Sequence, residues 1–267
     1  MLGIQIFLHS LRQVTGNIGM AVRVSGWFVL LVVIGITGIF SMVFSNPTQP
    51  SFDGMATLLV FGLLIFFIWG GSLIAVVWHR YILLEEVPQG AIPYRSGLNI
   101  WTYFWYTFGI AIIMIVVATI LSVMLAMLIF PDTVLKSAIL SIIVGSVVVV
   151  LFYRLALILP AVAIDSTLSL WDAMQATRSA LGPILVLAVV VVVFNTVLSE
   201  IAGFLFNGDQ ANTMLRVVND QVVYTEITAS SIMYFIAAGA IQWFSLMLSV
   251  SILSTLYGYF IEKRGLG

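Results

Sequence analysis

An all-α, polytopic membrane bundle is the fold class that this 267-residue chain predicts, and three observations predict it. Hydrophobic residues make up 62% of the sequence and charged residues 8%, with a mean hydropathy of +1.18, whereas soluble chains carry roughly a quarter charged residues. Six apolar stretches are each long enough to cross about 30 Å of hydrocarbon. The basic residues gather at one set of stretch ends. The absence of cysteine excludes disulfides, thiolate metal sites and cysteine nucleophiles. A net charge of −1 gives no footing for nucleic acid.

Residues 2–22 have no basic start, compact apolar core or small-residue cleavage site, so they do not read as a signal peptide. Wound as a helix, they put Ile4, Phe7, Leu8, Leu11, Val14 and Ile18 on one face and Gln5, His9, Arg12, Gln13 and Asn17 on the other. That pattern predicts an amphipathic helix lying in the membrane interface, weakened by Gly3, Gly16 and Gly19. Spans are expected at about 26–44, 55–80, 103–130, 133–159, 183–206 and 228–260. The third, fourth and sixth exceed the ~20-residue minimum and should tilt or project.

Between them, SNPTQPSFDG (45–54) reads as a loop and PDT (131–133) as a tight turn with cap-forming Asp and Thr. Residues 207–226 form the longest polar loop. Pro160 should interrupt the fourth helix. In 166–182 a Ser169/Asp172 capping box starts a second amphipathic helix, with Leu170, Ala173, Met174 and Leu181 as its apolar stripe. The connection 85–101 is richer in Pro and Gly and is expected to be less regular.

With the N-terminus in the cytoplasm, Arg12, Arg23, Arg80, Arg95, Arg154, Arg178, Lys263 and Arg264 fall inside, and Lys136 and Arg216 outside. The positive-inside rule therefore predicts two cytoplasmic termini. Laid in pairs, the spans suggest a threefold hairpin repeat. The odd spans follow Arg23-Val-Ser, Arg95-Ser-Gly and Arg178-Ser-Ala, and the even ones end in VWHRYILLEE, LFYRLALILP and TLYGYFIEKR. In each ending an aromatic residue accompanies Arg80, Arg154 or, in the third copy, Gly258. Convergence is the alternative, since Arg and Tyr are common at cytoplasmic interfaces.

Two enzyme signatures touch the end of the second span, and neither survives. His79-Arg80 resembles the opening of glycerophosphodiester phosphodiesterase catalytic domains, but Tyr81 stands where Gly is needed and the downstream metal carboxylates are missing. Glu85-Glu86 resembles the paired glutamates of intramembrane proteases that process prenylated proteins, but Gly90 replaces the required Arg. No catalytic, cofactor or metal residues are therefore assigned, and no HExxH, GxSxG, Walker or GxGxxG pattern is present.

A guanidinium is a planar fork for phosphate. Arg80, Arg95, Arg154 and Arg178 are thus candidate contacts for anionic lipid headgroups, flanked by Trp78, Tyr81, Tyr153 and Trp171. Within the membrane, Asn195, Glu200, Gln242, Ser245 and Ser249 are expected to face the bundle and bond one another, or to line an ion or proton path. Gly70-Gly71 and Gly35/Gly38 read as close helix-packing sites.

The run RLALILPAVAIDSTLSLWDAMQATRSALGPILVL (154–187) joins an Arg at a helix end, a Pro six residues on, a small-residue and Asp segment, a Ser-led amphipathic helix and a new span. It resembles the six-helix bacterial membrane proteins grouped around the membrane domain attached to glycerophosphodiester phosphodiesterases. The resemblance implies a six-span bundle in the bacterial inner membrane and a role in envelope or lipid homeostasis. These residues hold no counterpart of the catalytic domain, so no active-site residues carry over. The expectation is a non-enzymatic protein that organises or senses membrane lipid. The alternatives are a small secondary transporter through the fifth and sixth spans and an accessory subunit with a membrane protein partner.

Overall fold

The computed structural model describes residues 1–43, 54–88, 90, 99–130, 133–206, 215–218, 221–224 and 229–266. Among these, nine α-helices carry the fold: α1 (Leu2–Gly16), α2 (Ile18–Val43), α3 (Gly54–Leu84), α4 (Ile100–Ile129), α5 (Val134–Leu155), α6 (Ile158–Ala163), α7 (Leu170–Ala176), α8 (Leu181–Leu205) and α9 (Ala229–Phe260). Six stretches are long and apolar enough to span a membrane: Ile18–Ile39, Thr57–Leu84, Ile100–Ile129, Leu135–Ala163, Arg178–Leu205 and Ile232–Phe260. The predicted polytopic all-helical bundle is what the chain forms. Arg95, Pro131 and Asp132 lie outside the described residues.

The first predicted helix ends earlier than expected. Asn17 breaks it, with φ −122° and ψ 31°, and α2 starts at Ile18, so residues 18–22 belong to the first span. The Asn17 side chain closes α1 by donating from Nδ2 to the Gln13 carbonyl at 2.8 Å. The helix is also no mere interfacial float. Gly3, Ile6, Phe7, Ser10 and Val14 are buried against α8 and α9, and Ile4 and Leu8 turn outward instead.

Gly3 makes this docking possible: a Cβ there would stand 2.3 Å from the Pro183 carbonyl oxygen and 2.9 Å from the Leu187 nitrogen. A glycine that lowers intrinsic helicity thus permits backbone-to-backbone contact. Phe7 packs edge-on to Phe194 above that contact, at 5.3 Å between ring centroids.

The α2–α3 pair uses glycine more softly. The Phe28 ring seats on Gly70, Leu63 seats on Gly35, and Phe28 stacks on Phe66 at 5.6 Å, while Gly38 and Gly71 face open space. Trp243 on α9 donates from Nε1 to Ser25 Oγ at 2.7 Å, joining the last helix to α2. After α4, Phe130 adopts a left-handed cap (φ 46°), and Thr133 caps α5 by accepting from the Lys136 N–H at 3.3 Å.

Pro160 acts four residues before itself. It cannot donate to the Ala156 carbonyl, and its ring crowds that oxygen. The helix therefore breaks at residues 156–157, and Pro160 sits inside α6. The predicted capping box is present in full: Ser169 Oγ accepts from the Asp172 N–H, and the Asp172 carboxylate accepts from the Ser169 N–H. The expected 166–182 helix is shorter than its pattern, because α7 stops at Ala176 and a 3-10 turn, Arg178–Ala180, leads directly into α8.

The long polar loop contains an antiparallel hairpin that was not expected. Strand β1 (Leu215–Val218) pairs with β2 (Gln221–Tyr224) in the register Leu215 to Tyr224 and Val218 to Gln221. Two β-branched runs separated by Asn219-Asp220 are the signal that marks it in the sequence.

Candidate functional site

Three dipeptides gather at one end of the bundle, the arginine end: His79-Arg80 on α3, Tyr153-Arg154 on α5 and Tyr257-Gly258 on α9. In all three the ring precedes and is buried. His79 has no accessible surface. Its Nδ1 lies 2.8 Å from Ser254 Oγ and its Nε2 lies 3.1 Å from the Tyr103 hydroxyl. A neutral imidazole offers one donor and one acceptor, and two hydroxyls can serve either tautomer. Trp78 is equally buried and donates from Nε1 to Ser251 Oγ at 2.8 Å, and Tyr257 donates to Ser166 Oγ at 3.2 Å. Trp78 and Tyr153, expected beside lipid headgroups, are core residues. Tyr81 is half-buried and donates to Asn17 Oδ1 at 2.8 Å.

The arginines that follow the rings are committed to the protein. Arg80 grips Glu86 with its fork, Nε and Nη2 donating to the two carboxylate oxygens at 2.8 and 2.9 Å. Its Nη1 donates to Asp165 Oδ2 at 2.8 Å and to the Ala163 carbonyl at 2.9 Å. Asp165, in the left-handed region at φ 60°, also accepts from Asn99 Nδ2 at 2.6 Å, which ties the start of α4 into the cluster. Arg154 donates from Nε to Thr177 Oγ1 at 3.2 Å and from Nη2 to the Met174 carbonyl at 3.0 Å. Arg264, just beyond α9, donates from Nη2 to the Leu83 carbonyl at 3.0 Å and pairs through Nε with Glu262 at 2.7 Å.

One physical rule unites the three. Ala163, Met174 and Leu83 each lie in the last turn of a helix, where carbonyls have no intrahelical donor and the helix dipole is negative. The expected phosphate forks Arg80 and Arg154 therefore close helix ends. The cluster in residues 76–86 that resembled a catalytic set resolves into a buried ring pair, a helix-end clamp, and Glu85 turning the chain out of α3 at φ 56°.

The cations left over are others. Arg12, Arg23 and Arg178 are exposed, and no acidic side chain among the described residues pairs with them. Trp171, Trp101 and Trp105 are the exposed indoles near the same end. Of the predicted headgroup residues, Arg178 and Trp171 thus keep an outward position. Arg12, Arg23, Trp101 and Trp105 were not in that set.

A second polar cluster was also missed. Ser10 Oγ donates to Thr255 Oγ1 at 3.0 Å, Thr255 donates to Gln13 Oε1 at 3.2 Å, and Gln13 Nε2 lies 3.1 Å from His9 Nε2. The amphipathic pattern assigns His9 and Gln13 to water, but they line a cavity of about 200 Å³ with Ser254, Thr255, Gly258 and Arg264.

Within the membrane, only part of the expected polar set converges. Ser245 donates to Asn195 Oδ1, and Asn195 Nδ2 returns to the Val191 carbonyl at 2.9 Å. Ser249 is half-buried, but Glu200 and Gln242 face outward instead of into the bundle. No group of three His, Asp or Glu side chains among the described residues is placed to hold a metal ion.

No family model, no curated protein and no solved structure matches this chain. The fold establishes a polytopic membrane protein with a helical bundle of six candidate spans.

Proposed function

We propose that the protein is a non-enzymatic component of a bacterial inner membrane that organises or senses anionic lipid at its arginine end, which faces the cytoplasm. The observation that carries this reading is the division of labour among the arginines. Arg80, Arg154 and Arg264 close helix ends, whereas Arg12, Arg23 and Arg178 remain exposed at the end of the bundle that also exposes Trp171, Trp101 and Trp105. Exposed guanidinium groups and indoles at one end of a bundle match the headgroup layer of a cytoplasmic leaflet, where each basic residue contributes about 1 kcal/mol of attraction to anionic lipid.

A polar transport path has less behind it, because Asn195 and Ser245 bond each other and Glu200 and Gln242 point away from the bundle. The deciding measurement is native mass spectrometry of the purified chain with mixed phosphatidylglycerol and phosphatidylcholine. Wild type should carry an excess of phosphatidylglycerol, and the R12Q/R23Q/R178Q variant should lose it. Equal enrichment in both proteins refutes the reading.

A further inference from the structure

Of the three span endings, the third alone lacks an arginine directly after the buried ring, and the cavity lies at that position. In units one and two the buried ring is followed by Arg80 or Arg154, whose side chain occupies the space beside its helix end. In unit three the residue is Gly258, and Gly258 lines the cavity bounded by α1, the end of α3 and the end of α9. A Cβ at Gly258 would make only ordinary contact, 3.6 Å from Arg264 Cδ and 3.9 Å from Leu83 Cδ2, and both of those residues line the same cavity.

The lining is rich in donors. Arg264 has Nε and Nη2 committed to Glu262 and Leu83, and no side chain or carbonyl among the described residues accepts from its Nη1. Gln13 has one amide hydrogen beyond its contact with His9, and His9 Nδ1 has no hydrogen-bond partner among the described residues. Thr255 and Ser254, both buried, fix the wall through bonds to Gln13 and His79. Ile4 and Leu8 of the adjoining α1 face outward.

We propose that this cleft binds a phosphate ester, with Arg264 Nη1, Gln13 Nε2 and His9 as its donors, and that the arginine absent at position 258 is what makes room for it. The membrane supplies such a group as a phospholipid headgroup, whose acyl chains would run along the outer face of α1. The inference deepens the lipid reading by naming a discrete site, and it rests on that reading only for the source of the phosphate.

The test titrates the purified full-length protein with phosphatidylglycerol, with diacylglycerol of the same chains, and with inorganic phosphate as competitor, counting bound molecules by native mass spectrometry. One saturable phosphatidylglycerol per chain is expected, with none for diacylglycerol. Gly258→Leu should lose the site. Arg264→Gln should weaken binding about tenfold, with Arg264→Lys recovering most of it. Competition by inorganic phosphate identifies the phosphate as the recognised group and admits a free anion as occupant, and retention against it assigns the site to lipid.

Absence of a saturable class in wild type, or unchanged affinity in Gly258→Leu, overturns the proposal. Should Gly258→Leu fail to fold, equal binding by Arg264→Gln and wild type overturns it alone. The R12Q/R23Q/R178Q variant should keep the saturable site while losing bulk enrichment, so the two readings fail separately.

Discussion

The arginine-end half of the bundle and the opposite half are built from equally apolar helices, yet they differ in almost every other respect. Toward the arginine end, Leu73 to Trp78, Leu157 to Ala161, Ile184, Leu187, Met247, Leu248 and Val250 to Tyr257 form a buried core. Toward the other end, Leu30 to Ile36, Leu58 to Ile65, Ile112 to Leu128 and Val193 to Leu205 are largely exposed along their helices. The most apolar span, Ile100–Ile129, is also the least buried of the six.

In lipid, hydrocarbon around a Leu is as apolar as another helix, so hydrophobicity gives helices no reason to pack. Small residues that let backbones approach, and polar groups that need partners, do give one. Both are concentrated at the arginine end: Gly3 against Pro183, Ser10 with Thr255, His79 between Ser254 and Tyr103, and the arginines on helix ends.

The contrast can be broken or sharpened by substitution, with unfolding followed in detergent. The largest effect is expected for Trp78→Ala, which empties a fully buried site and removes a bond to Ser251, at about 3–5 kcal/mol. Gly3→Leu forces a side chain into the α8 backbone and should cost about 3 kcal/mol, with α1 becoming accessible to proteolysis. Gly3→Ala in place, at wild-type stability, would contradict the backbone contact.

Arg80→Ala removes the donor from the Ala163 carbonyl and both carboxylate pairs. Because Glu86 and Asp165 are solvent-accessible, the loss should stay near 1.5–3 kcal/mol. Ser245→Ala in mid-membrane should cost only about 0.6 kcal/mol, as interhelical bonds in membranes commonly do. Ile115→Ala on the exposed face of α4 should lie within about 0.5 kcal/mol of wild type. A loss above 2 kcal/mol at Ile115 would mean that another protein surface covers α4.

Much of this is legible before any coordinates. Length and hydropathy locate six spans, Ser169 and Asp172 announce their capping box, and Pro160 announces a break, though the physics of its ring sets that break at residues 156–157. These are local properties, decided by neighbours along the chain. The hairpin at Leu215–Tyr224 is local too, and its paired β-branched runs carry the signal.

The roles of the polar side chains are a different matter. Composition and spacing alone determine that the chain carries six stretches long and apolar enough to cross a membrane and that its arginines cluster at helix ends. Whether an arginine there meets a phosphate or a carbonyl depends on which helix end arrives beside it, and that depends on contacts between residues far apart in the chain. Arg80 and Ala163, Ser10 and Thr255, and Arg264 and Leu83 meet only in three dimensions. An amphipathic pattern likewise assigns His9 and Gln13 to water, because it cannot represent a cavity that Gly258 and Arg264, far along the chain, help to line.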